Sequence, residues 1–194
     1  MSSAVINNGL RLAHSRLFRS IVVVYSLLLG LIFNSGAQTT REYQLKAAFL
    51  FNFTQFVDWP ASSIPSTNSP IVIGILGIDP FGKTLDQIVQ NESVGGRKLV
   101  VERYSSLSQI QNCHILYISP SESEQMEAIL GKLKGSGILT VGDTDNFARR
   151  GGVIGFYIDK NKIRLRVNLE SAREEKLSLS SKLLRLAEIV REQK

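Results

Sequence analysis

Cys113 and His114 stand side by side, and they are the first residues in this chain that could do chemistry together. A thiol next to an imidazole can serve as a nucleophile and its base, and both side chains ligate zinc. Neighbouring residues on a strand point to opposite faces, and CHILYIS, Cys113 to Ser119, reads as a strand. The pair therefore cannot act on one atom. A buried small hydrophobe and a satisfied core histidine fit that apolar run better. Cys113 is the chain's one cysteine, so an internal disulfide is excluded. The other histidine, His14, lies in the N-terminal leader described below. No triad, metal set or cofactor motif assembles from what is left, and the expectation is a protein that is not an enzyme and holds no metal or cofactor.

Three loops deserve a chemical reading. Gly74-x-x-Gly77 follows a strand and precedes a helix, but it lacks the full G-x-G-x-x-G pattern, and Asp79 would repel a phosphate. Asp143, Asp145 and Asn146 alternate as in some calcium loops, yet Arg149 and Arg150 fall where acids would be needed. In open α/β sheets ligands settle beyond the carboxyl ends of the strands. There Asp79, Ser119, Ser121, Asp143 and Thr144 would line an alternative small-molecule pocket. The third loop carries Arg149-Arg150 before Gly151-Gly152, flanked by Phe147 and Phe156. Arginine and aromatic side chains are enriched at interface hot spots. Phe147, Arg149, Arg150 and Phe156 are thus candidates for docking a partner, extended by Arg164 and Arg166 on the wet face of a later strand.

Elements must position these residues. Residues 1–37 read as a secretory leader: Arg11, Arg16 and Arg19, then the apolar run Ile21 to Phe33, then small residues ending at Ala37. That run is 13 residues long, short of a spanning helix. Cleavage after Ala37 leaves a single exported domain, 38–194. The 23 basic residues of the chain include those three arginines, so the remainder carries 20 against 17 acids and shows no footprint for nucleic acid. Apolar periodicity predicts a helix from Arg41 to Asp58, with Leu45, Ala48, Phe49, Phe53, Phe56 and Val57 inward. A loop from Ser62 to Pro70 follows. Strands are expected at Ile71 to Leu76, Lys98 to Tyr104, Cys113 to Ser119 and Ile138 to Val141. A hairpin follows, Val153 to Ile158 with Ile163 to Leu169. Helices are expected after Asp79-Pro80 and from Ser121 to Leu133. Further helices should span Ala172 to Lys176 and Ser181 to Arg191. The order argues for an α/β fold: one three-layer domain with a mainly parallel sheet flanked by helices, a C-terminal antiparallel hairpin and a terminal helix.

The ordered set LKAAFLFNFTQFVDWP (Leu45 to Pro60), IVIGILGIDPFG (Ile71 to Gly82), CHILYIS and SSKLLRLAEIV (Ser180 to Val190), with ILTVGDTDNFARRGGVIGFYIDKNKIRLRVN between the last two, resembles the YfiR-like family of exported bacterial regulators. The resemblance implies a periplasmic repressor that contacts the periplasmic part of an inner-membrane diguanylate cyclase, lowering cyclic-di-GMP signalling and biofilm formation. It also implies a peptidoglycan-associated outer-membrane lipoprotein as a second partner, and a homodimer. Members with paired cysteines respond to redox state; with Cys113 alone, this chain departs from them.

Overall fold

The computed structural model describes residues 41–60, 63 and 69–192. The chain divides into Met1–Arg41 and Glu42–Lys194, and the fold below is that of the second unit. The expected leader lies outside the described residues, as does most of the expected loop from Ser62 to Pro70. Among the described residues no helix is long and apolar enough to cross a membrane.

Helix α1 covers 41–56 and then gives way to a two-residue strand, β1, Val57–Asp58. Its buried face is Ala47, Leu50 and Phe53 together with Lys46 and Thr54. Leu45, expected inside, is half exposed. The apolar residues of α1 are too numerous to fix its rotation by hydropathy alone. The buried lysine sets it instead.

The main sheet has eight strands in the order β10-β8-β7-β6-β5-β2-β4-β3. They are β2 (Ile71–Leu76), β3 (Ser93–Val94), β4 (Arg97–Tyr104), β5 (Ile115–Ile118), β6 (Leu139–Gly142), β7 (Ile154–Asp159), β8 (Lys162–Asn168) and β10 (Ala187–Val190). β4, β2, β5, β6 and β7 run parallel. β2 is buried at every position, as a strand covered on both faces must be. β7 and β8 form the expected antiparallel hairpin, turned by Lys160 and Asn161 at positive φ. β3 pairs antiparallel with β4 across Gly95-Gly96 and was not expected. A second sheet of two strands joins β1 to β9, Ser178–Leu179.

Helices cover both faces. On one, α1 and α2 (Lys83–Val89) pack over Ile73, Ile75, Ile115, Tyr117, Val141 and Phe156. On the other, α3 (Met126–Leu133) packs over Leu76, Leu116 and Ile118 with Phe147. α3 is shorter than expected, because Pro120–Gln125 winds as a 3₁₀ turn. The expected helix after Asp79-Pro80 starts only at Lys83, since Asp79 closes a turn on the amides of Phe81 and Gly82 at 2.7 and 3.2 Å. α4 is Leu169–Glu174, capped by Asn168. The predicted terminal helix from Ser181 to Arg191 is corrected: α5 covers only Ser181–Leu184, and β10 follows, parallel to β8. Ile189 and Val190 are β-branched, and tertiary pairing overrides the helical spacing of Leu183, Leu184, Ala187 and Val190.

Candidate functional site

The carboxyl ends of β5 and β6 carry a buried polar network closed by α1. Asp143 follows β6 directly and is nearly buried, its side chain 6 % exposed. It accepts hydrogen bonds from the hydroxyls of Tyr43 at 2.9 Å and Tyr117 at 2.6 Å, and from the Lys46 ammonium at 2.5 Å. Lys46 is 4 % exposed and binds Glu42, one turn earlier on α1, at 2.5 Å as well. Its ammonium also sits 4.4 Å from the centre of the Tyr43 ring. A buried charge is tolerated only when paired and hydrogen-bonded, and here both charges are. Burial first, then the Asp143 carboxylate, push the Tyr43 hydroxyl up to about 12. The Tyr117 hydroxyl rises for the same reasons, in the same order. Both phenols therefore stay protonated and donate.

Helix spacing explains how the pieces meet. Glu42 and Lys46 are one helical turn apart on α1, and Tyr43 lies beside them. Tyr117, at the end of β5, stands next to Val141 of β6 in register, two residues before Asp143. Asp143 and Thr144 were legible as site residues in the sequence, whereas Lys46, Tyr43 and Tyr117 were not. Lys46, inside the otherwise apolar run from Leu45 to Phe51, was the available signal. Above this network opens a cleft of about 390 Å³, bounded by Lys46, Asp143, Thr144, Phe156, Tyr157 and Arg166 among others.

The other residues expected in a strand-end pocket do not join it. Asp79 binds Arg103 at 2.8 Å and its own turn. The Ser119 hydroxyl is buried and accepts from the Ser121 amide. Ser121 accepts from the Ile78 amide at 3.0 Å and donates to Glu122. None of these contacts reaches Asp143 or Thr144, and two of them, Arg103 to Asp79 and Ile78 to Ser121, join separate elements.

The candidate docking residues divide by burial. Phe147 is 1 % and Phe156 4 % exposed. The Phe147 ring lies where a side chain on Gly142 or Gly152 would have to go, and Phe156 packs with Phe49 and Phe53. Both are core residues and present no surface for contact, which corrects their expected exposure. Arg149 and Arg166 converge on Glu188 of β10, at 3.5 and 3.1 Å. Arg166 also stacks 3.8 Å over the Tyr157 ring. Arg164 faces Asp159 at 4.0 Å. Arg150 turns to Glu127 at 2.6 Å and to the Ser123 carbonyl, away from the other three.

Cys113 and His114 are both buried. Burial pushes the thiol up to about 12, so it is not a nucleophile. His114 Nδ1 accepts from the Val72 amide at 3.1 Å, and its carbonyl accepts from Trp59 Nε1 at 3.0 Å. It serves as a structural clip where β2 and β5 begin. Among the described residues no group of three or more His, Cys, Asp or Glu side chains could hold a metal ion.

No curated protein matches the chain. Among solved structures, it resembles the ABC domain in complex with L-Trp from Streptococcus pneumonia at 12 % identity and a TM-score of 0.46, over 62 % of this chain and 55 % of that one. It also resembles a conserved domain protein from Vibrio cholerae at 13 % identity and a TM-score of 0.43, over 65 % of this chain and 55 % of that one. The chain thus spans about half the length of each, and neither likeness bears on what it does. The YfiR/HmsC-like family, by contrast, matches residues 43–188, from the Tyr43 that binds Asp143 to the Glu188 that gathers Arg149 and Arg166. The chain belongs to the YfiR/HmsC-like family.

Proposed function

We propose that this protein is an exported periplasmic regulator that binds the periplasmic part of an inner-membrane diguanylate cyclase and restrains it. The observation that carries this reading is the family match, which runs through the whole fold from α1 to β10. Restraint works by population shift: the regulator binds the inactive state of the cyclase better than the active one. The docking surface we favour is the wet face of β7, β8 and β10, with Arg149, Arg164 and Arg166. The Tyr157 ring stands on the same face, opposite Arg164 in register and under the Arg166 guanidinium. Cationic side chains beside a partly exposed aromatic ring suit a polar, reversible interface. Arg150 belongs to a separate contact with α3 and stands at the margin of this surface. A peptidoglycan-associated lipoprotein would release the cyclase by sequestering the regulator, and a homodimer would present two such faces.

Deleting the gene in its host tests the reading. Cyclic-di-GMP is expected to rise several-fold, and cross-linking of the exported fraction should capture a membrane cyclase. Restoring the chain with Arg164→Glu and Arg166→Glu should leave the nucleotide high while the protein remains folded by circular dichroism. An unchanged nucleotide level in the deletion strain sinks the cyclase reading.

A further inference from the structure

The main sheet ends at β10, and the backbone of that strand is satisfied on one side only. The Asn168 amide donates to the Val153 carbonyl at 2.9 Å, which turns the even-numbered residues of β8 towards β7. Bonding direction alternates along a strand, so Leu165 and Val167 turn towards β10. With Leu165 opposite Ala187 in a parallel register, their bonds go to Leu186, Glu188 and Val190. The N–H and C=O groups of Ala187 and Ile189 therefore point out from the sheet edge. Among the described residues nothing donates to them or accepts from them. β10 carries no proline, lysine or left-handed residue, devices that blunt an edge. Glu188, its one charge, is turned back onto Arg149 and Arg166. Ile189, on the opposite face, is 47 % exposed.

The strand also suits a copy of itself. An antiparallel mate related by a two-fold axis normal to the sheet brings outward residues against outward residues. Ala187 on the axis would need Arg185 extended, and Arg185 is helical at φ −67° and ψ −20°. Glu188 on the axis would set two like charges face to face, and Val190 on the axis would set Glu188 against Glu192. Ile189 on the axis avoids all three, because the two isoleucines meet and Glu188 lies opposite Val190.

We propose that β10 docks a second copy of this chain along that edge, the two strands pairing antiparallel about Ile189 into one continuous sheet. The inference rests on the homodimer of the proposed function and assigns its interface. Because the axis is normal to the sheet, the two faces that carry Tyr157, Arg164 and Arg166 come to lie on the same side. A strand of 4 residues buries little area, so the dimer is weak and concentration-dependent.

Sedimentation equilibrium and hydrogen exchange of the purified protein, from about 5 µM to about 500 µM and so below the ~1 mM limit of weak affinity, test the pairing. A monomer–dimer equilibrium is expected. The largest gain in protection at the higher concentration should fall on the amides of Ala187, Ile189 and Arg191, which the monomer leaves open. Ile189→Pro removes one outward N–H and no bond to β8, a place where an edge strand tolerates proline. Ile189→Glu keeps the backbone intact and sets like charges together on the axis. Each should raise the dissociation constant at least about tenfold, with the circular dichroism of the parent. A parent that stays monomeric throughout, a dimer that survives both substitutions, or protection gained only elsewhere overturns the proposal. The cyclase reading is judged by the nucleotide level of the deletion strain, so a monomer would leave it standing.

Discussion

Taking the ammonium away from Lys46 leaves Asp143 buried with only the two tyrosine hydroxyls for partners. Breaking a buried pair on one side typically costs about 3–5 kcal/mol. Lys46→Met is therefore expected to lower the urea midpoint by that equivalent, and adding Asp143→Asn should recover part of it. A midpoint within about 0.5 kcal/mol of the parent, the scatter of ordinary surface changes, would deny the pair any structural weight. His114 makes the second residue-scale prediction. Burial first, then the nearby Arg97 charge, hold its imidazole below the usual histidine range. In acid the unfolded chain takes up a proton that the folded chain refuses, so stability is full above the unfolded value near 6.5 and falls as pH drops towards the folded value. Protonation would also turn Nδ1 from acceptor to donor against the Val72 amide. Urea midpoints between pH 7.5 and 5.5 should fall in the parent and flatten in His114→Gln. Parallel slopes in the two proteins would remove His114 as the cause.

At the scale of elements, β10 is the informative case. It forms one edge of the sheet and pairs only with β8, Ala187 opposite Leu165 through Val190 opposite Asn168. Successive amides of a strand point to opposite neighbours, so β8 gives one set to β7 and the alternate set to β10. Truncation after Leu186 should speed hydrogen exchange at every other amide of Lys162–Asn168 and leave those facing β7 protected. Uniform loss would mean that the hairpin itself had come apart. Helix periodicity misread this segment because four apolar residues at three- and four-residue steps fit a helical stripe, whereas the strand depends on Leu165 and Val167, which are distant in sequence. The core strands were legible for the opposite reason. Ile71 to Leu76 is apolar throughout, and burial on both faces allows little else.

For the whole molecule, layers and strand direction could be read from the alternation of strands and helices, and the docking arginines could be named. Their partners could not: Glu188 reaches Arg149 and Arg166 only once β10 lies beside β8. Nor could Phe147 and Phe156 be assigned to the core from their neighbours in sequence, since the glycines and phenylalanines that enclose them come from other elements. Helix α1 shows the same dependence in the other direction. Lys46, near its start, is fastened to Asp143, and β1 at its end pairs with β9. The first element of the unit is thus secured by two of its later ones. Long-range contacts of this kind are slow to form. As the chain emerges from a ribosome or a translocation pore, α1 precedes the strands that cover it, and its apolar face stays bare until Phe156 of β7 has followed. A chaperone that holds this helix would meet the protein at its most exposed moment.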